Sequence, residues 1–240
     1  MLSGCTLKNA FDKGETSMGL WQCLPGANVS RALARTPGVD WVMVDCEHGN
    51  MDGALDAGAH GILVPLLRSA EDAKKIVAAA KFPPWGQRGF GSPFAMERFS
   101  PIPSMTEYLQ HANESLLTMV QIETQEALDA VDEIARVPGV DVLMIGPFDL
   151  GNNIGHPILD GVIKPELQQA MDRILAATKK AGKKAGFFAT SPEQARESAE
   201  KGFDMISVAL DVTHLQASLA LSLSVAKGSS APKTGGGYGA

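Results

Sequence analysis

Two short runs carry the residues whose chemistry stands out, Met119-Val120-Gln121-Ile122-Glu123-Thr124 and Ile145-Gly146-Pro147-Phe148-Asp149-Leu150. Each reads as an apolar strand that ends in a carboxylate. One helix-length segment, 125–139, separates them. Consecutive parallel strands joined by a helix point the same way, so Glu123 and Asp149 are expected at the same end of one sheet. Two carboxylates converging at the C-terminal edge of a parallel sheet make a hard-oxygen site for Mg²⁺ or Mn²⁺. Taken alone, Asp149 reads equally as a cap of the turn before Gly151, so its ligand reading leans on Glu123.

The elements that must hold these residues alternate along the chain. Strands are expected at 19–24, 41–47, 61–67, 117–123, 140–145, 184–189 and 204–210. They are dense in Val, Ile, Leu, Met and Phe without strict alternation, as strands buried on both faces are. Helices are expected at 7–14, 27–36, 70–80, 106–113, 125–136, 165–181, 192–201 and 213–226. Ser69 and the Ser191-Pro192-Glu193 run supply helix starts, and Gly182 and Gly202 follow helix ends. Alternating βα units of this size indicate a parallel α/β architecture, with one domain over 1–227 and a Gly/Ser-rich disordered tail over 228–240. The strand count is seven. The link from strand 41–47 to strand 61–67 has only thirteen residues, close to the minimum of about 10–12 for a parallel crossover. Seven strands do not close a standard eight-stranded barrel, so either the barrel is open or strained, or the chain lacks a segment.

Bulk properties exclude several partner classes. The 240 residues carry a net charge of −6 and no basic stripe, which argues against nucleic acid. Three cysteines, Cys5, Cys23 and Cys46, sit far apart, which suits reduced thiols in a cytoplasmic setting. The first residues lack the apolar stretch of a secretory signal, and no apolar run approaches the length of about 18 that a membrane span needs.

Five motifs then occur in a recognisable order: Val44-Asp45-Cys46-Glu47-His48-Gly49, the stretch from Leu55-Asp56-Ala57-Gly58-Ala59 to Pro65, Arg88-Gly89-Phe90-Gly91, Gln121-Ile122-Glu123-Thr124, and Ile145 to Leu150. Together they resemble the HpcH/HpaI aldolase family, the class II pyruvate aldolases. The resemblance implies a TIM-type (β/α)8 barrel and a divalent metal (Mg²⁺, Mn²⁺ or Co²⁺) held by Glu123 and Asp149. It implies cleavage of 4-hydroxy-2-oxoacids to pyruvate and an aldehyde, or the reverse. Gln121 would hydrogen-bond the oxoacid, and the amides around Phe148 and Asp149 would hold its carboxylate. His48 would transfer protons, oriented by Asp45 or Asp56, with Glu47 near the metal. Family members form trimers or hexamers through the last helix, which would give 213–226 a partner-facing role in a homo-oligomer. Arg88 reads either as a mouth residue touching an anionic substrate or as a plain loop arginine. His60 reads as structural; His156 reads as a loop residue near Asp149 or as a substrate contact.

One departure is large. Family members place a further strand and helix, carrying an arginine in a V-R-x-P run, between the E-H and L-D-x-G-A motifs. Here Met51-Asp52-Gly53 leads directly to Ala54-Leu55-Asp56, with no such arginine between, so the resemblance implies an incomplete barrel with one βα unit missing after the second strand. Removing one donor to a developing oxyanion costs about 10²–10³ in rate. The alternative to a working lyase is therefore a non-catalytic relative that acts only as an oligomer subunit. A weaker alternative is an acyl-CoA lyase of the citrate lyase type, which would need a nucleotide-binding surface that the charge pattern does not supply.

Overall fold

The computed structural model describes residues 5–24, 26–45, 51–92 and 94–228. Seven strands, all parallel, form one sheet: β1 (Ser17–Gln22), β2 (Trp41–Val44), β3 (Gly61–Val64), β4 (Leu117–Ile122), β5 (Val142–Ile145), β6 (Lys184–Phe188) and β7 (Met205–Leu210). Their spatial order is β2-β1-β7-β6-β5-β4-β3. The strands curl into a TIM-type half-barrel. Its two edges, β2 and β3, are consecutive in the chain yet unpaired with each other. The opening falls at the short 47–61 link: among the described residues, no strand lies between β2 and β3 to carry the sheet round.

Two layers of apolar side chains follow from this curvature. On the inside, Leu117 and Met119 of β4, Val142 of β5 and Met205 of β7 pack with Cys5, Leu7 and Phe11 from helix α1 (Thr6–Lys13), which plugs the N-terminal end. Trp41, Met43 and Leu63 join this inner cluster only partly buried, because the neighbouring wall is open. On the outside, Val120, Ile122, Leu143, Ile145, Phe187 and Ile206 pack against the helices. Strands covered on both faces explain the unbroken apolar runs.

The helices begin where the sequence places caps. Ser69 Oγ accepts from Asp72 N at the start of α4 (Ala70–Ala80), and Ser191 Oγ accepts from Gln194 N at the start of α10 (Pro192–Glu200). Ser104 and Glu107 form a reciprocal capping box on α5 (Met105–Ser115). Three further helices are α2 (Ala27–Ala34), α3 (Met51–Asp56) and α9 (Pro165–Lys180). The helix expected over 125–136 is two, α6 (Gln125–Asp129) and α7 (Val131–Ala135), broken at Ala130; the carbonyl of Asp129 accepts from the Arg173 guanidinium across 3.2 Å. A short helix α8 (Pro147–Asn153) replaces the turn expected after β5, with Pro147 at its first position. Lys81 is buried at the foot of β4, donating to the Asn113 carbonyl at 2.8 Å and to the Leu116 carbonyl, with Asp141 at 3.5 Å.

The last helix, α11 (Asp211–Ala226), does not gather its apolar residues on one face, and its Leu215, Leu219, Leu221, Leu223 and Val225 are exposed. No described helix is long and apolar enough to cross a membrane.

Candidate active site

The C-terminal ends of the strands open into a cavity of about 1360 Å³ that runs down the gap between β2 and β3. Glu123, the residue after β4, is 2% exposed and reaches this cavity. Its Oε1 accepts the Leu66 backbone N–H at 2.8 Å, and its Oε2 accepts from Gln121 Nε2. Gln121 lies two residues back on the same strand, hence on the same inward face. Above them passes Gly146, between β5 and α8. A Cβ there would overlap both the Glu123 carboxylate and the Gln121 amide. Glycine is thus the residue that lets the next strand's backbone close over the acid.

Asp149 and Phe148 line the same cavity from the first turn of α8. Asp149 is therefore a helix residue, not a turn cap, and it is exposed to the cavity mouth. Two adjacent parallel strands bring Gln121, Glu123, Phe148 and Asp149 to one end, as their spacing predicts. Asp45, just past β2, also lines the cavity and accepts the Trp21 indole N–H at 3.1 Å. Glu47 and His48 lie outside the described residues. Among the described residues, no group of three or more His, Cys, Asp or Glu is arranged to hold a metal ion.

Arg88 and Asp56 are placed elsewhere. Arg88 Nη2 donates to Asp56 Oδ1 at 2.7 Å, and its guanidinium lies 4.6 Å from the centroid of the Phe82 ring. Neither residue lines the cavity. The loop after α4 folds back on α4, with Gln87 N donating to Ala78 O and Arg88 N to Lys81 O, and this turns Arg88 toward α3. Of the two readings of Arg88, the mouth contact is therefore replaced by an ion pair in which Arg88 is buried and Asp56 half-buried.

Three residues escaped the sequence reading. Leu66, at φ 56°, supplies the N–H to Glu123. Its signal was faint: a residue after Pro65 at a strand end. Trp21 packs edge-on to Phe188, with ring centroids 5.5 Å apart, and bridges to Asp45. Asp211 is a third strand-end carboxylate, but it is buried and accepts the Cys23 and Leu24 backbone N–H groups at 3.0 and 2.9 Å, tying down the loop after β1. His60 stacks on Phe99 at 4.3 Å with Nε2 3.1 Å from the Arg98 carbonyl, and burial lowers its pKa. His156 is half-buried, 3.7 Å from Glu166, and does not line the cavity.

Residues 49–218 match the sequence profile of the HpcH/HpaI aldolase/citrate lyase family. The 2-keto-3-deoxy-L-rhamnonate aldolase of Escherichia coli (strain K12) is 31% identical, covering 96% of this chain and 97% of the relative. That match runs over 263 residues, more than this chain's 240, so the relative carries about 30 residues without counterpart here, close to the roughly 31 of one βα unit. The crystal structure of a HpcH/HpaI aldolase/citrate lyase family protein from Burkholderia cenocepacia J2315 superposes with a TM-score of 0.82 at 30% identity, over 95% of this chain and 100% of that one. The HpcH/HpaI aldolase from Desulfitobacterium hafniense DCB-2 gives 0.82 at 26%, over 92% and 96%. With the sheet, the strand-end acids and these matches in agreement, the chain belongs to the HpcH/HpaI aldolase/citrate lyase family of carbon–carbon lyases.

Proposed function

We propose that this chain is a divalent-metal-dependent aldolase that cleaves 4-hydroxy-2-oxoacids to pyruvate and an aldehyde, or joins them. The observation that carries this reading is the convergence of Glu123 and Asp149, from neighbouring strand ends, on one cavity with Gln121 beside them. The donor set suits a hard cation: carboxylate oxygens with an amide next to them, under a glycine too close to carry a side chain. Glu123 and Asp149 would hold the ion. When bound, a divalent cation of this kind polarises the keto group of a chelated 2-oxoacid and stabilises the charge that develops on it.

The chain's own residues supply the rest. Gln121 would hydrogen-bond the oxoacid, and the Phe148 and Asp149 amides would hold its carboxylate. His48 would take the proton from the 4-hydroxyl as the C3–C4 bond breaks, and return it to the aldehyde oxygen in the reverse direction. Glu47 lies one residue before it and would act near the metal. Asp45, held by Trp21, is the acid that remains to orient the His48 ring, since Asp56 is engaged by Arg88. A 2-keto-3-deoxy sugar acid, the substrate type named for the E. coli relative, has the required 2-keto group and CH₂ at C3. The exposed apolar surface of α11 supports assembly into a homo-oligomer through that helix.

Exchange of pyruvate methyl protons for deuterium, followed by NMR with Mn²⁺ or Co²⁺ supplied, tests the reading. Exchange lost in Glu123→Ala is expected; equal rates in folded wild type and variant would remove the claim. The unpaired β2 and β3 edges favour the second reading, a subunit without catalysis. Folded oligomer that exchanges no protons would establish it.

A further inference from the structure

Strand β1 lies between β2 and β7, with Gln22 beside Val44 on one side and Trp21 beside Leu210 on the other. The next residue of each neighbour is an aspartate, Asp45 after β2 and Asp211 after β7. The end of β1 is thus held between two carboxylates. Asp211 is buried; its Oδ1 accepts the Cys23 and Val212 N–H groups at 3.0 and 2.7 Å, and its Oδ2 accepts the Leu24 N–H at 2.9 Å. The same stretch of β1 turns side chains to Asp45, whose Oδ2 accepts the Trp21 indole N–H at 3.1 Å and lies 3.8 Å from Cys23 Sγ. From this relay we infer that Asp211 is a positioning residue of the cavity: it fixes the end of β1 so that Trp21 and Cys23 hold the Asp45 carboxylate in one orientation.

Asp45 lines the cavity and Asp211 does not, so Asp211 acts on the site through β1. The stretch between them is stiff. Gln22 Nε2 donates to the Leu24 carbonyl at 2.8 Å, and the Asp45 N–H donates to the Gln22 carbonyl at 2.8 Å. The Trp21 ring packs edge-on against Phe188 of β6, which limits rotation of the indole. Backbone N–H groups given to a carboxylate form charge-assisted hydrogen bonds, stronger than neutral ones. An asparagine at this position has one acceptor oxygen and an NH₂ donor. It cannot receive Cys23 and Leu24 on separate oxygens. A carboxylate in the first turn of α11 also suits the helix dipole, a structural role that the test separates from the relay. The inference rests on the aldolase reading at one step, the orientation of His48 by Asp45. Cleavage of a 4-hydroxy-2-oxoacid uses that step. Pyruvate has no 4-hydroxyl, so its proton exchange does not.

The test compares wild type, Asp211→Asn, Trp21→Phe and the double variant, all with Mn²⁺. Phenylalanine keeps a ring against Phe188 and removes the N–H. Two rates are measured, cleavage of 4-hydroxy-2-oxopentanoate and exchange of pyruvate methyl protons. Each single variant should lose at least about tenfold more kcat in cleavage than in exchange, since a misplacement of about 1 Å can cost about 10²-fold. The KM for the oxoacid should stay within about twofold, because the relay does not bind it. The double variant should fall no more than about threefold below the weaker single variant, since both changes break one relay. Amide hydrogen exchange gives a readout without activity: in Asp211→Asn it should quicken at Cys23, Leu24 and Asp45. Asp211→Glu takes the place of Asp211→Asn should the latter not fold. Three results would overturn the inference: equal losses of cleavage and exchange, losses that multiply in the double variant, or quickened amide exchange that stops at Cys23 and Leu24. Each would assign Asp211 to local capping alone. A wild type inactive in both assays would remove the aldolase reading, and amide exchange at Asp45 would then decide the relay by itself.

Discussion

The backbone N–H of Leu66 points at Oε1 of Glu123 across 2.8 Å, and Leu66 adopts φ 56° to do so. A non-glycine residue in the left-handed region costs about 1–3 kcal/mol and persists where the surrounding structure over-determines it. The β3–α4 connection thus orients an acid that belongs to β4. Leu66→Gly retains that backbone freely and should keep Mn²⁺ affinity within about twofold. Leu66→Val is β-branched, which φ > 0 disfavours, and should weaken Mn²⁺ binding by about tenfold. Titration calorimetry compares the two; equal affinities would show that the left-handed turn does not hold Glu123.

Gly146 admits no side chain. In Gly146→Ala the methyl group competes for the space of the Glu123 carboxylate and the Gln121 amide. A displacement of about 1 Å in a catalytic group can cost about 10²-fold. Pyruvate proton exchange should fall by about that factor while the Tm changes little, and a variant exchanging at the wild-type rate would contradict the placement of the site.

His60 should make stability depend on pH. Burial pushes its imidazole pKa below the ordinary value, the Arg98 carbonyl pulling partly the other way. The folded state therefore disfavours the protonated ring. Its contribution is intact above the unfolded pKa of about 6.5 and is lost as pH falls through the lower folded pKa. Wild type should lose Tm on acidification below about pH 6.5, and His60→Gln should lose less. Parallel curves for the two proteins would assign the acid sensitivity to other groups.

The exposed leucines of α11 should control assembly. Leu219 and Leu223 are 54% and 57% exposed. Contiguous exposed apolar surface on a soluble protein marks an interaction site. The double variant Leu219→Glu, Leu223→Glu should shift the protein to a smaller species by light scattering, with Glu123-dependent proton exchange reduced if neighbouring subunits support the site. An unchanged mass would place the interface elsewhere.

Strands such as β4 and β5 were legible because burial on both faces forces continuous apolar runs, while β2 and β3, which border the opening, carry the same residue types with little burial. The missing unit was legible as a chain too short between β2 and β3. Gln121, Glu123, Phe148 and Asp149 were legible as a group because parallel βα succession alone sends neighbouring strand ends to one rim. Arg88 and Asp56 were not: motif order places both near the others in sequence, whereas the fold-back of the loop on α4 and the strength of a guanidinium–carboxylate pair decide that they meet each other. Nor was Leu66, whose role depends on a backbone angle that no residue type announces. Asp211 resembles Glu123 and Asp149 in sequence, a carboxylate after an apolar strand, yet it serves the β1 loop. Sequence determined which elements exist and which ends share a rim, since these follow from local periodicity and chain direction. Tertiary structure decided which acids face the cavity and which are consumed by neighbouring N–H groups or cations, since that choice belongs to contacts between segments far apart in the chain.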